Sequence, residues 1–179
     1  MLFIIFNAFL LAFSIILLII LWCVWPPDSP WTPWWRTNSK KAITAGKLAK
    51  ITSRDIVYEL GSGDANFLVA VCKKFKSRGV GIEIDFIRTF TAKLNVVKNN
   101  LGKKIELLRG SFYDYKLSEA TVVFCYLVPR VLEKLKPKLK KELKKGTRII
   151  SYRYKFKTDT KLAFVAEDKK NEMYLYRIV

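Results

Sequence analysis

The chain has 179 residues, with 33 Lys and Arg against 15 Asp and Glu, a formal net charge of +18, and no histidine. The missing imidazole excludes a His-based catalytic triad and any His-ligated metal site, and the three cysteines, Cys23, Cys72 and Cys125, have no zinc-like or redox spacing, so no metal is expected. A balance this basic favours anionic partners such as phosphate backbones, acidic headgroups or acidic proteins, and carries no information about fold.

Leu2 to Trp22 is apolar apart from Asn7 and Ser14 and holds no charge. About 20 such residues in a helix cross a hydrocarbon layer of ~30 Å. Only Met1 precedes the run, and Trp22-Cys23-Val24-Trp25 stands where a cleavable signal would place small residues, so residues 1–25 read as an uncleaved transmembrane anchor. Arg36, Lys40, Lys41, Lys47 and Lys50 follow it, which predicts a single-pass membrane protein whose C-terminal domain is cytoplasmic. Residues 26–36 hold Pro26, Pro27, Pro30 and Pro33 among Trp31, Trp34 and Trp35 and read as a stiff juxtamembrane linker suited to the headgroup layer. Residues 37–179 are then one domain with room for a single core.

Asn38 or Thr37 is placed to cap a helix from about Ser39 to Ala49. Asp55–Leu60 reads as a strand, and Asn66–Phe75 as a helix with Phe67, Leu68, Val71 and Phe75 at helical spacing. A strand follows over Gly79–Ile84, then a helix over Phe86–Asn99 with Phe90, Leu94 and Val97 on one face. Strands are expected at Ile105–Leu108, Thr121–Tyr126 and Thr147–Tyr154, with a helix over Pro129–Lys144 between the last two. Two short strands, near Lys161–Glu167 and Glu172–Val179, close the chain as a hairpin. The alternation predicts an α/β fold: a Rossmann-like, mainly parallel sheet covered on both faces, ending in an antiparallel hairpin.

The chemistry gathers around Glu59-Leu-Gly61-Ser62-Gly63-Asp64-Ala65, where a strand runs into a glycine turn and a helix begins. Gly61 and Gly63 allow backbone to approach a ligand closely. The strict dinucleotide pattern would put a third glycine at 66, where Asn66 stands, and Asp64 would repel a pyrophosphate, which argues against a dinucleotide reductase. Glu59 is a charge at the end of an apolar strand and needs a partner, which an aminoacyl ammonium or a water network beneath it would supply. Glu83 ends the second strand and is placed to take the two hydroxyls of a ribose.

Glu59 to Ala65 resembles the first motif of class I S-adenosylmethionine-dependent methyltransferases, and Gly81-Ile-Glu83 resembles their acidic second motif. With Tyr126-Leu-Val-Pro129 after the fourth strand, residues 37–158 resemble the membrane-anchored protein-lysine methyltransferases related to the mitochondrial ATP synthase c-subunit lysine methyltransferase. The resemblance implies a class I methyltransferase sheet and S-adenosylmethionine as cofactor. It implies that Glu59, Gly61, Ser62, Gly63, Asp64 and Ala65 form the cofactor loop, that Glu83 binds the ribose, and that Ser111 and Phe112 lie at the adenine. Tyr126 and Pro129 would line the methyl-transfer site. Ala65 replaces the family's third glycine, and Ser111 its usual aspartate, with Asp114 a possible substitute. The implied substrate is a lysine of a membrane-embedded or membrane-proximal protein. RNA methylation, methylation of a lipid or quinone, and an inactive methyltransferase-like scaffold are the alternatives. The helix after Pro129 carries Arg130, Lys134, Lys136, Lys138, Lys140, Lys141, Lys144 and Lys145, which reads either as a solvated basic face or, with an anchor beside it, as a contact for anionic lipid.

Overall fold

A computed structural model describes residues 1–24, 35–157 and 159–179. The linker expected over 26–36 falls outside these residues except for its last two. The chain forms two units, residues 1–34 and residues 35–179. In the first, helix α1 runs over Leu2–Val24, and its segment Leu2–Leu21, with a mean hydropathy of 3.0, is long and apolar enough to cross a membrane. Its two polar side chains bond back to their own helix, Asn7 Nδ2 to the Phe3 carbonyl at 2.7 Å and Ser14 Oγ to the Leu10 carbonyl at 2.9 Å. They therefore present no unpaired polar group to an apolar surrounding.

The second unit is a seven-stranded mixed sheet. Its elements in chain order are α2 (Ser39–Leu48), β1 (Ile56–Leu60), α3 (Asn66–Phe75), β2 (Arg78–Glu83), α4 (Phe86–Lys98), β3 (Ile105–Arg109), β4 (Val122–Cys125), α5 (Pro129–Glu142), β5 (Arg148–Tyr152), β6 (Leu162–Asp168), a 3₁₀ turn (Lys169–Asn171) and β7 (Met173–Ile178). The strand order is β3-β2-β1-β4-β5-β7-β6, parallel from β3 to β5 and antiparallel at β7 and β6. The expected terminal hairpin is present, but its second strand, not its first, joins β5, so β6 is the edge.

Asn38 caps α2, its side chain accepting from the Lys40 amide at 2.8 Å. Gly46 lets α2 lie close on α3: a β-carbon there would sit 2.3 Å from the Phe75 ring. On one face of the sheet, Ala42, Ala45, Phe67, Leu68, Val71 and Cys72 pack on Val57, Val122, Phe124 and Ile150, with the Phe67 and Phe124 rings stacked at 3.7 Å. On the other, Leu132, Leu135 and Leu139 of α5 pack on Leu60, Ile82, Val123 and Ile149. The apolar face expected on α4 points outward. The helix instead buries Arg88, Thr89, Ala92 and Val96, while Phe90, Leu94 and Val97 are exposed.

The amino edge of the sheet is stapled by Asp55. Its Oδ2 accepts from the Thr52 amide at 2.7 Å, and its Oδ1 accepts from Thr121 Oγ1 at 2.7 Å and from the Arg148 guanidinium. Arg148 also donates to the carbonyls of Ala49 (2.6 Å) and Lys50 (3.0 Å), so one ion pair joins the end of α2 to the starts of β1 and β5. Burial pushes the Asp55 carboxyl up, but the hydrogen bonds from Thr121 and Thr52 and the Arg148 charge outweigh it and hold the pKa below its ordinary 3.8. A depressed carboxyl contributes stability above its unfolded pKa and loses it as pH falls through the folded value. Asp55→Asn should cost roughly 3 kcal/mol at neutral pH by leaving Arg148 without its charge partner. The gap between wild type and variant should narrow below about pH 3.8 in denaturant titrations.

Candidate active site

The carboxyl edge carries the chemistry. Parallel pairing places Leu60 beside Ile82 and beside Cys125, so the residues following β1, β2 and β4 converge. The turn after β1 is built by positive φ at Gly61 (76°), Gly63 (53°) and Ala65 (57°). Gly61 and Ser62 both donate their amides to the Ile82 carbonyl, at 2.9 and 3.0 Å, which bends the chain sharply over β2. Ala65 takes the left-handed conformation that a glycine would take, directly before α3, with its methyl group fully buried. The replacement of glycine therefore keeps the turn, at a backbone cost of about 1 kcal/mol.

Glu83 is buried and fixes this turn from β2. Its Oε2 accepts from the Gly63 amide at 2.8 Å and its Oε1 from the Asp85 amide at 3.0 Å. Each oxygen keeps a further acceptor position, which suits a pair of neighbouring hydroxyls. Asp85 caps α4, accepting from the Arg88 amide at 2.7 Å. Asp64 pairs with Arg36 at 2.6 Å, and the Asp64 carbonyl accepts from Asn95 Nδ2 at 2.9 Å. Asn66 Nδ2 donates to the Thr37 carbonyl at 2.5 Å, so the segment leading into α2 is pinned to the glycine turn.

Glu59 is wholly buried beneath the turn, and its Oε2 has no hydrogen-bond partner. Burial, and then repulsion from Asp64, hold its carboxyl well above the usual range, opposed by a hydrogen bond from the Leu68 amide; Glu83 adds further repulsion. A buried acceptor without a donor is costly and marks a place for a ligand that brings one. An ammonium group meets that need, and a cationic ligand suits three converging carboxylates.

After β3, Gly110 donates to the Glu83 carbonyl at 2.9 Å, and Ser111 begins a turn in which its Oγ accepts from the Tyr113 amide at 3.2 Å. Ser111 and Phe112 are half-buried there, while Asp114 is exposed. After β4, Leu127 lies under Gly61, and Pro129 opens α5 at its first turn. The Tyr126 ring meets that of Tyr152 at 4.5 Å, and the Tyr126 hydroxyl accepts from Arg153 Nη1 at 3.2 Å. Arg153 is itself in a left-handed conformation (φ 72°), its amide bonded to the Glu172 carbonyl at 2.7 Å. Lys41 lies 5.8 Å over the Tyr152 ring. Sequence reading missed Tyr152, Arg153, Asn95 and Arg36 as neighbours of the site. The signal for Arg153 was its position just past a strand end, but nothing local tied it to Tyr126.

A parallel sheet with a glycine turn after β1 and an acid ending β2, above a buried unpaired carboxylate, defines an S-adenosylmethionine-dependent methyltransferase. Comparison with known proteins agrees. Residues 59–162 match the model of the ANTKMT methyltransferase domain, and the chain belongs to that family. It is 37% identical over 156 residues to a protein-lysine N-methyltransferase of Saccharolobus islandicus (strain REY15A), covering 85% of this chain and 95% of that one. A crystal structure of an RNA methyltransferase from Salinibacter ruber with S-adenosyl-L-homocysteine matches with a TM-score of 0.71 and 30% identity, covering 80% of this chain and 92% of that one. An O-methyltransferase from Bacillus cereus, also with the demethylated cofactor, shares the fold alone, at a TM-score of 0.65 and 13% identity, over 82% of this chain and 84% of that one.

The state of Glu59 gives a direct test. A ligand bearing a positive charge favours the ionised form of a carboxyl whose pKa is raised, so cofactor binding should release a proton and tighten as pH rises. Calorimetry in buffers of different ionisation enthalpy should show that release for the wild type and not for Glu59→Gln. The variant should bind S-adenosylmethionine about tenfold or more weakly, for want of a charge-assisted hydrogen bond. It should be at least as stable as wild type at neutral pH without cofactor, because folding no longer neutralises a carboxylate that is ionised when unfolded.

Proposed function

We propose that the protein is a protein-lysine N-methyltransferase, anchored by α1 and acting on a membrane-embedded or membrane-proximal protein. The observation that carries the lysine assignment is the 37% identity to the archaeal protein-lysine methyltransferase over nearly that protein's whole length. In this reading the turn of Glu59, Gly61, Ser62, Gly63, Asp64 and Ala65 holds the methionine part of the cofactor. Glu59 receives its ammonium and Glu83 its ribose hydroxyls. Ser111 and Phe112 border the adenine, the serine offering a neutral hydroxyl in place of a charge.

Methyl transfer from a sulfonium is an in-line displacement in which alignment dominates. The attacking amine must first lose a proton, from a reference pKa near ~10.4. Arg153 and Lys41, beside Tyr126 and Tyr152, place positive charge around the incoming lysine and favour its neutral form. The Tyr126 hydroxyl, held by Arg153, and the backbone near Leu127 and Val128 orient the amine. Pro129 fixes that backbone at the start of α5.

In this reading α1 crosses the membrane once, with the basic residues from Arg36 onward on the cytoplasmic side. RNA is the second reading, favoured by the net charge of +18 and by the description of the Salinibacter protein. Incubating membranes with labelled S-adenosylmethionine and full-length protein, followed by mass spectrometry, separates them: label on lysine supports the proposal, and nuclease-sensitive label supports the alternative. Tyr126→Phe should lower turnover roughly tenfold or more while leaving cofactor affinity within twofold, since alignment of the amine is lost and the cofactor turn is not. Equal turnover would remove Tyr126 from the transfer site.

A further inference from the structure

We infer that α4 is a lipid-docking face, seated on an anionic bilayer surface. Phe86, Ile87, Phe90, Leu94 and Val97 are 61%, 44%, 54%, 56% and 68% exposed, an apolar stripe along one side of a 13-residue helix. Leaving five apolar side chains together in water is unfavourable unless something covers them. The exposed remainder of α4 is Thr91, Lys93 and Lys98, and Lys103 and Lys104 follow in the next turn. From Phe86 to Lys104 there is no acidic residue, and Arg109 lies 5.2 Å over the Phe86 ring. An apolar stripe on a helix whose own exposed charges are all cations is the pattern of a helix lying in a headgroup layer.

Two further observations select lipid over another occupant. The first is connectivity. Arg36 and Thr37 are pinned to the glycine turn by Asp64 and Asn66, and α4 begins three residues after Glu83, at the same carboxyl edge. Ten residues, 25–34, separate α1 from Trp35, and ten residues span at most about 35 Å. The inference takes from the proposed function only the insertion of α1, and not the chemistry. The second is the contrast with α5. That helix lies on the opposite face of the sheet, buries its leucines, and commits charges internally: Lys136 to Glu133, Lys138 to Glu142 and Lys140 to Asp159. Only α4 of these two has side chains to insert.

The test uses full-length protein with Cys23→Ser, reconstituted in vesicles of phosphatidylcholine and phosphatidylglycerol. Cys72 and Cys125 are buried, and burial pushes the Cys72 thiol up to about 11, so an engineered surface cysteine is labelled selectively. An environment-sensitive fluorophore at Leu94→Cys should be quenched about twofold or more by lipids spin-labelled near the headgroup, and one at Lys141→Cys on α5 should not. Phe90→Glu with Lys98→Glu should abolish the quenching at position 94. A control label at Ala12→Cys, at the middle of the Leu2–Leu21 segment, is read with lipids spin-labelled deep in the acyl chain and reports insertion of the anchor. Quenching at 12 but not at 94 overturns the inference and leaves the anchor standing; no quenching at 12 overturns the anchor. Quenching at 141 instead of 94 reassigns the face to α5. Position 94 cross-linking to a second copy, or protected only when a substrate protein is added, overturns lipid as the occupant.

Discussion

One carboxylate holds the working edge of this domain together. Glu83 accepts from the amide of Gly63 in the turn after β1 and from the amide of Asp85 that opens α4, while its own carbonyl accepts from Gly110 after β3. Three loops from three different strands thus meet at one buried residue. Charged acceptors make stronger hydrogen bonds than neutral ones, so the loops are placed before any ligand arrives. A tight backbone turn cannot position itself, because its residues sit in conformations that cost energy. Here Ala65, with no glycine to relax it, depends on that support most.

The two edges of the sheet use charge in opposite ways. At the amino edge Asp55 meets Arg148 and two threonines, every lone pair finds a donor, and the result is stability. At the carboxyl edge Glu59, Asp64 and Glu83 converge, and Glu59 is left with an oxygen unanswered. A chain with a net charge of +18 thus brings three carboxyl groups together at one edge of its sheet.

Much of this was legible in the residues because it is local. The turn signal from Gly61 and Gly63, the acid 20 residues on, the Asn38 cap and the bounds of α3 follow from short-range patterning. The direction of α4 was not legible: a stripe at helical spacing identifies a face but not what lies against it, and the small inward residues Ala92 and Thr89 carry no periodic signal. Arg153 and Tyr126 are 27 positions apart, and Asp55 and Arg148 are 93 apart. Such pairs exist only once the sheet order exists, and that order depends on non-local pairing.

The placement of β7 bears on how the domain is made. β6 touches the sheet only through β7, and β7 lies between β5 and β6 although it follows both in the chain. Until its residues emerge from the ribosome, the outer edge of β5 stays open and β6 has no partner, a situation that invites wrong pairing with other chains. Lys155, Lys157 and Lys161 lie between β5 and β6, the kind of charged residues that discourage wrong pairing at an open edge. The outer part of the sheet is therefore complete only once β7 has inserted between β5 and β6.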